Sequence, residues 1–399
     1  MSVHPLKDTK SLPTPSIRFW LVYLLAVVFN FHSLLVAYSS TSYMEQFMSP
    51  EHIGLLYSLG SLGSIVLFLY TPHILQKLGN VTVSGLYMLL SMVALVVMGL
   101  GFSSSLVIIG FTLFLIINPL IYFNIDIFSE TLIGKHEGKT GHIRGLTLAL
   151  MSFASLLAPL TLSILVGDGQ NLAQLYFIAI GVGILFTFLV IGFFRRFRDP
   201  VYHHIHLKIL LQECWEKKNL RVVFTTHFIL QIFFTWTVVY FPFYLATEVG
   251  LTWFAIGKII AAGLLAYAIF EYPIGIIADN YIGEKEMMAV GFLVLALACA
   301  SISFFAGAPI WAWMMLMFIS RTGASLVEVT TESYFFKKVD GKDANLMSFF
   351  RIMRPFSMLV GSLLGTACLY FMPFNLAFIV LAFVMVVGLF CTHFLQDTR

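Results

Sequence analysis

Arg321, Ser325, Glu328 and Glu332 lie 0, 4, 7 and 11 steps along one stretch of the chain. On a helix of 3.6 residues per turn those steps form a single stripe. The stripe joins a guanidinium, a hydroxyl and two carboxylates, so it can hold an anion, exchange a proton or form ion pairs. A weaker version with Tyr122, Asp126 and Glu130 occurs earlier, beside Asn118, Pro119 and Asn124. Arg351 and Arg354 share one face of a third stretch. We expect an ion pair or network among Glu328, Glu332, Arg351 and Arg354. It acts either as a switch that opens when a carboxylate is protonated, or as a permanent clamp between two helices.

Other polar residues stand more alone. His32 has Asn30 and Ser33 close by, and His227 pairs with Gln231 at one helical turn. A histidine there relays protons or simply packs through hydrogen bonds. Lys258 either binds an anionic substrate or reaches out to an interface along its own stem. Trp236, Tyr240 and Tyr38 are possible wall residues, but aromatics make up 16% of the chain, so none is singled out by type. The candidates for contact with a substrate are Asn30, His32, Asn118, Gln231, Trp236, Tyr240 and Lys258. The stretch GKHEGKT at 134–140 has three residues between its glycines, not the four of a phosphate loop, and it fails the HExxH zinc pattern. No GxSxG elbow and no GxGxxG is present. Histidines 203, 204 and 206 have no acidic or cysteine partner at ligand spacing. The cysteines Cys214, Cys299, Cys368 and Cys391 are unpaired in spacing and read as packed thiols. The expectation is no metal, no cofactor and no enzyme.

The elements that hold these residues follow from composition. The chain has 399 residues, 59% apolar and 11% charged, with a mean hydropathy of +0.91. A soluble domain carries about 25% charged residues. This chain cannot clothe a water-facing surface, which excludes a soluble enzyme, a secreted disulfide scaffold and a disordered protein. A net charge of +3 gives no electrostatic basis for nucleic-acid binding. The polar stretch 1–16 precedes an apolar run of about 26 residues, which reads as a retained helix and not a cleaved signal.

Twelve apolar runs of membrane-spanning length lie near 17–43, 51–75, 81–101, 105–132, 143–166, 172–194, 221–246, 252–278, 285–306, 309–336, 344–371 and 374–394. With the N-terminus cytoplasmic, 19 of the 23 Lys and Arg fall on inner segments and none on outer loops. That bias places both termini inside. Lys258, Arg321, Arg351 and Arg354 fall within spans, as do Asp126, Glu130, Glu271, Glu328 and Glu332. A charge at the bilayer centre costs about 2.5–3.5 kcal/mol, so these side chains face the bundle interior, water or one another. The expected layout is a tail at 1–16, a six-helix bundle at 17–194, a cytoplasmic linker with an amphipathic helix at 195–220, a second six-helix bundle at 221–394 and a tail at 395–399.

The two halves repeat. Asp126 falls on Glu328, Glu130 on Glu332 and Lys135 on Lys337 at an offset of 202, and Gly54 and Gly60 fall on Gly257 and Gly263 at 203. The stretch GIIADNYIGEK carries Gly275, Asp279, Gly283 and Lys285, with one extra residue between Asp279 and Gly283. This resembles the loop signature of the major facilitator superfamily, Gly-x-x-x-Asp-x-x-Gly followed by basic residues. In the first half PHILQKLGN keeps Gly79, while Gln76 stands at the Asp position and Pro72 at the leading Gly. RTGAS, with Arg321 and Gly323, is similar to the family's membrane Arg followed by small residues. Gly145, Ala154, Ala158 and Pro159 follow the spacing seen in its proton-coupled exporters, with Ala at two Gly positions.

The resemblance implies an all-α integral membrane fold of twelve helices in two pseudo-symmetric bundles. It implies a secondary transporter in the cytoplasmic membrane, moving a small organic solute by alternating access. Proton coupling is expected, with a lean towards export. Gly275, Asp279 and Gly283 are the conformational motif, and Asp126, Glu130, Arg321, Glu328, Glu332, Arg351 and Arg354 the coupling network. The expected partners are the bilayer, a small solute and H+, with the chain a monomer. The alternatives are a gradient-driven uniporter or importer, a non-transporting sensor or assembly partner on the same fold, and a membrane-embedded enzyme, for which the sequence shows no nucleophile or metal constellation.

Overall fold

The apolar runs become fourteen helices in the computed structural model, which describes residues 17–133, 140–166, 172–202, 212, 216–280, 282–338 and 344–396. The first half comprises α1 (Ile17–Ala37), α2 (Ser40–Met44), α3 (Pro50–Leu78), α4 (Asn80–Leu100), α5 (Ser104–Ile133), α6 (Thr140–Val166) and α7 (Ala173–Phe194). The second comprises α8 (Lys218–Val239), α9 (Phe241–Thr247), α10 (Trp253–Asn280), α11 (Glu284–Ile302), α12 (Ile310–Lys338), α13 (Ala344–Phe371) and α14 (Phe374–Thr392). Among the described residues there is no strand. A helix satisfies its own backbone polar groups, which is what hydrocarbon requires.

Eleven helices are long and apolar enough to cross a bilayer, and Leu150–Val166 of α6 adds a shorter apolar stretch. The chain is a multi-pass membrane protein, and its described residues hold twelve long helices in two bundles. Large apolar side chains point outward, among them Phe188 on α7, Leu297 on α11 and Phe383 on α14. Lipid tails serve these side chains as well as a protein core would.

Two of the expected spans are broken. The run 17–43 divides into α1 and α2 after Tyr38, and the run 221–246 divides into α8 and α9 at Tyr240. Pro242 sits in the first turn of α9, where its missing N–H and fixed φ fit a new helix start. The amphipathic helix expected in the linker, and the histidines 203, 204 and 206, lie outside the described residues.

Both halves use the same packing plan. In the first, α1 packs on α5, α6 and α7, α3 on α5, and α4 on α5 and α7; in the second, α8 packs on α12, α13 and α14, α10 on α12, and α11 on α12 and α14. The halves meet where α3 packs on α13 and where α6 packs on α10. Those two seams are counterparts under the repeat.

The link between α3 and α4 is a single residue. Gly79 has φ +74°, and its N–H donates to the Leu75 carbonyl at 2.9 Å. Asp199, from the segment after α7, accepts the first N–H of α4 from Asn80 at 2.7 Å. A carboxylate there suits the positive end of a helix. Tyr202 donates to the same carboxylate, and burial together with that charge raises its phenol above the usual range. Gln76 donates to the Tyr202 carbonyl at 2.9 Å. Gln76 thus stands where the loop motif has its acid, and the Asp199 carboxylate from the segment after α7 lies beside it at the start of α4.

Candidate functional site

The two ends of the interface between the halves are built from different chemistry. At the end away from the termini, small residues let helices touch. On the α3–α13 seam, Ser58 Oγ and Ser362 Oγ are 2.7 Å apart, and Gly54 lies against Thr366, Tyr240 and the Ser362 carbonyl. Tyr240 donates to the Ser362 carbonyl at 2.7 Å, and Trp236 Nε1–H to the Gly361 carbonyl at 2.8 Å. On the α6–α10 seam, Gly257 lies against the Pro159 carbonyl and Ser163, whose hydroxyl donates to the Phe254 carbonyl at 2.8 Å. The short α2 and α9 also meet there. Glycine and serine let backbones approach closely enough for this packing.

At the end bearing the termini, the halves are joined by long side chains. Arg351 Nη1 lies 3.1 Å from Asp126 Oδ2, linking α13 to α5. Their side chains are 27% and 43% exposed, so the pair is wet and worth only about 0.5–1 kcal/mol. Each residue sits about two turns in from the end of its helix. The expected network did not include this contact, in which Arg351 reaches Asp126 on the other half. Breaking so weak a contact is expected to be mild. Asp126→Asn should lengthen the α5–α13 distance, read by paired spin labels, and change turnover by about 2–5-fold. The charge swap Asp126→Arg with Arg351→Asp should restore both. A swap no better than the single variant would show that the pair plays no part in joining the halves.

Between the two ends lies a band of buried charge. Glu271 of α10 accepts from Ser152 of α6 at 3.2 Å, another bond between halves. Glu328 is in electrostatic reach of Glu271, Glu332, Arg354 and Arg321. Arg321, only 3% exposed, projects from α12 past Gly263 of α10. Its guanidinium carbon is 5.2 Å from the Phe233 ring centroid and 5.8 Å from that of Phe234. Tyr267 and, from the first half, Tyr38 are within its field.

The other nominated residues are scattered. His32 is sealed inside the first bundle, with Nδ1 2.7 Å from the Ala179 carbonyl and Nε2 3.3 Å from Ser91 Oγ. Both ring nitrogens are therefore engaged with α7 and α4, away from the other half. Asn30 donates to the Met151 carbonyl at 2.9 Å and to Ser155 at 2.8 Å, and accepts from Tyr122 at 2.8 Å. Asn118 donates to Ser33 at 2.7 Å. Trp236 and Tyr240 belong to the sealed end described above. Gln231 is buried in α8, near His227, whose ring stacks on Phe350 at 3.9 Å. Lys258 is exposed, its ammonium 3.7 Å from the Phe254 ring centroid near the sealed end. Arg354 is exposed, whereas Glu332 is half-buried. Gly275 is on α10 against Val329, and Gly283 is the N-cap of α11. The side chains of Glu130 and Asp279 lie outside the described residues.

Glu271, Ser152, Tyr267, Phe233 and Phe234 were not among the nominated residues. Glu271 was visible as a charge within a span. The aromatics carried no signal in a chain this rich in them, and Ser152 matches no motif.

Two six-helix bundles related by a repeat meet along two symmetric seams with a band of charge between them, an architecture found among secondary transporters. Residues 223–399 match the model of the Major Facilitator Superfamily. Among solved structures, the nucleoside transporter NupG matches with a TM-score of 0.73 at 12% identity, over 94% of this chain and 98% of that one. A point mutant of NupG matches with a TM-score of 0.76 at 12% identity, over 94% and 99%. No curated protein matches the chain in sequence. The family match covers the second half of the chain, and the fold likeness covers both halves.

Proposed function

We propose that the chain is a proton-coupled secondary transporter that moves a small organic solute across the cytoplasmic membrane by alternating access. The observation that carries this reading is the contrast between the two ends. One end is closed by tight packing at Gly54 and Gly257, and the other is bridged by the exposed Asp126–Arg351 pair. Such a pair of unlike closures suits a structure caught facing one side of the membrane. The basic residues of the inner segments argue that the termini are cytoplasmic. On that orientation the tightly packed end is the outer one and the weakly bridged end, the easier to open, faces the cytoplasm. Support for coupling to protons comes from the neighbouring carboxylates Glu271, Glu328 and Glu332. Export is the direction we assign, on the placement of Ala154, Ala158 and Pro159 in α6. The protein works as a monomer, its halves at 17–194 and 221–394 moving against one another.

The test is proton flux across sealed proteoliposomes holding a trapped pH dye, with a panel of sugars, nucleosides, amino acids, organic anions and organic cations. A solute that triggers proton movement, in the direction of antiport, is the expected result. Labelled-solute exchange with no proton movement would leave a uniporter and overturn the coupling. A silent panel in both assays, with a partner recovered in mild detergent, would favour the non-transporting alternative.

A further inference from the structure

The environment of Arg321 specifies a ligand more narrowly than the fold does. Its guanidinium is buried at 3% exposure, and among the described residues no carboxylate lies at ion-pair distance from it. Three buried polar atoms lack a hydrogen-bond partner in the same place: Arg321 Nε, Tyr267 Oη and Ser325 Oγ. Ser325 is one turn below Arg321 on the same face of α12, and Tyr267 is within reach of the guanidinium but not at hydrogen-bonding geometry. Native structures rarely leave buried donors unserved, and three together point to an absent acceptor. A buried charge in a membrane protein marks a functional site by default.

The walls narrow the class. Phe233, Phe234 and Tyr267 flank the guanidinium, and Phe234 and Tyr267 are themselves in ring contact at 6.3 Å. Tyr38 approaches from the first half, so the group lies where the two halves meet. Glu328 and Glu271 are also near, and both lie in the field of Tyr267. They would repel a second negative charge on anything bound to the arginine. A planar guanidinium takes a carboxylate through two parallel hydrogen bonds, and a hydroxyl beside it adds a third.

We propose that Arg321, Tyr267 and Ser325 form the carboxylate-binding corner of the solute site, and that the solute is a small monocarboxylate with an apolar or aromatic body. Phe233, Phe234 and Tyr38 hold that body. This rests on the transporter reading for its consequence, since it names the solute class of the same site, but binding is measurable without flux.

The probes are phenylacetate, its neutral amide and the cationic phenethylamine, which share a body and differ in charge. Binding to the purified full chain in detergent is read by calorimetry and by the shift in melting temperature. Phenylacetate should bind roughly 10- to 100-fold more tightly than the amide, and the amine not at all. Arg321→Gln should reduce that preference to within a few-fold, and Arg321→Lys should keep part of it. Tyr267→Phe, a smaller change, should lower it without unfolding the protein. Equal binding of acid and amide, an unchanged preference in Arg321→Gln, or no binding of any probe at about 10 mM would overturn the proposal. Flux of a neutral solute in proteoliposomes, alongside any of those results, would leave the transporter standing and remove only the anion site.

Discussion

Gly257→Leu should cut solute turnover by at least about tenfold while both bundles remain folded. The glycine faces the Pro159 carbonyl and the Cα and Cβ of Ser163 across the α6–α10 seam, with no room for a Cβ. A carbonyl on a helix backbone does not rotate aside as a flexible side-chain tip does, so the seam must part. Overpacking of this kind costs about 1–3 kcal/mol. The contact is between halves and not within one, so the cost falls on the sealed arrangement and spares the fold of each bundle. Each 1.4 kcal/mol moves a two-state equilibrium about tenfold, which is enough to strand the protein open at that end. Paired spin labels at the ends of α6 and α10 away from the termini should report a longer distance. Native distance with native turnover would show that this seam stays shut throughout the cycle. Gly54→Leu, on the symmetric α3–α13 seam, should behave alike, since its Cβ would strike Thr366 and the Tyr240 hydroxyl.

Glu328→Gln is expected to abolish solute-driven proton movement while leaving solute exchange at equal pH in place. The substitution keeps shape and hydrogen-bonding capacity and removes only the capacity to carry a proton. Glu328 feels several neighbours, with Glu271 and Glu332 on one side of the balance and Arg354 and Arg321 on the other. A group so placed transmits its charge state to α10, α12 and α13 together. The measurement is the pair of assays on one preparation: dye response to solute, and counterflow of labelled solute. Loss of both would mark Glu328 as structural, and loss of neither would remove it from coupling.

Much of the architecture was legible because hydrocarbon leaves few choices. Runs of about 20 apolar residues must be helices, and the offset that superposes Asp126 on Glu328 foretold two alike bundles. The breaks at Tyr38 and Tyr240 were not legible, since both runs stay apolar through them; only Pro242 hinted at the second. The Asp126–Arg351 contact was not legible for a different reason. Residue spacing fixes what shares a face of one helix, whereas Asp126 and Arg351 are 3.1 Å apart through the docking of two halves far apart in sequence. His32 shows the same limit, because a polar side chain in a span looks alike whether it faces the other half or, as here, the carbonyl of Ala179. Ser58 against Ser362 and Ser152 against Glu271 carry no motif at all, and only the packed helices reveal them.

The unlike closures at the two ends have a consequence for ionic strength. Mobile ions at 0.15 M screen exposed charges over about 8 Å and leave van der Waals contact at a glycine untouched. Salt therefore acts on the Asp126–Arg351 end and passes over the Gly54 and Gly257 end. One half-cycle would respond to the surrounding electrolyte and the other would not. On the proposed alternating-access cycle, the resting orientation is expected to shift with the salt on the side that wets Asp126, a dependence that a symmetric pair of gates could not have.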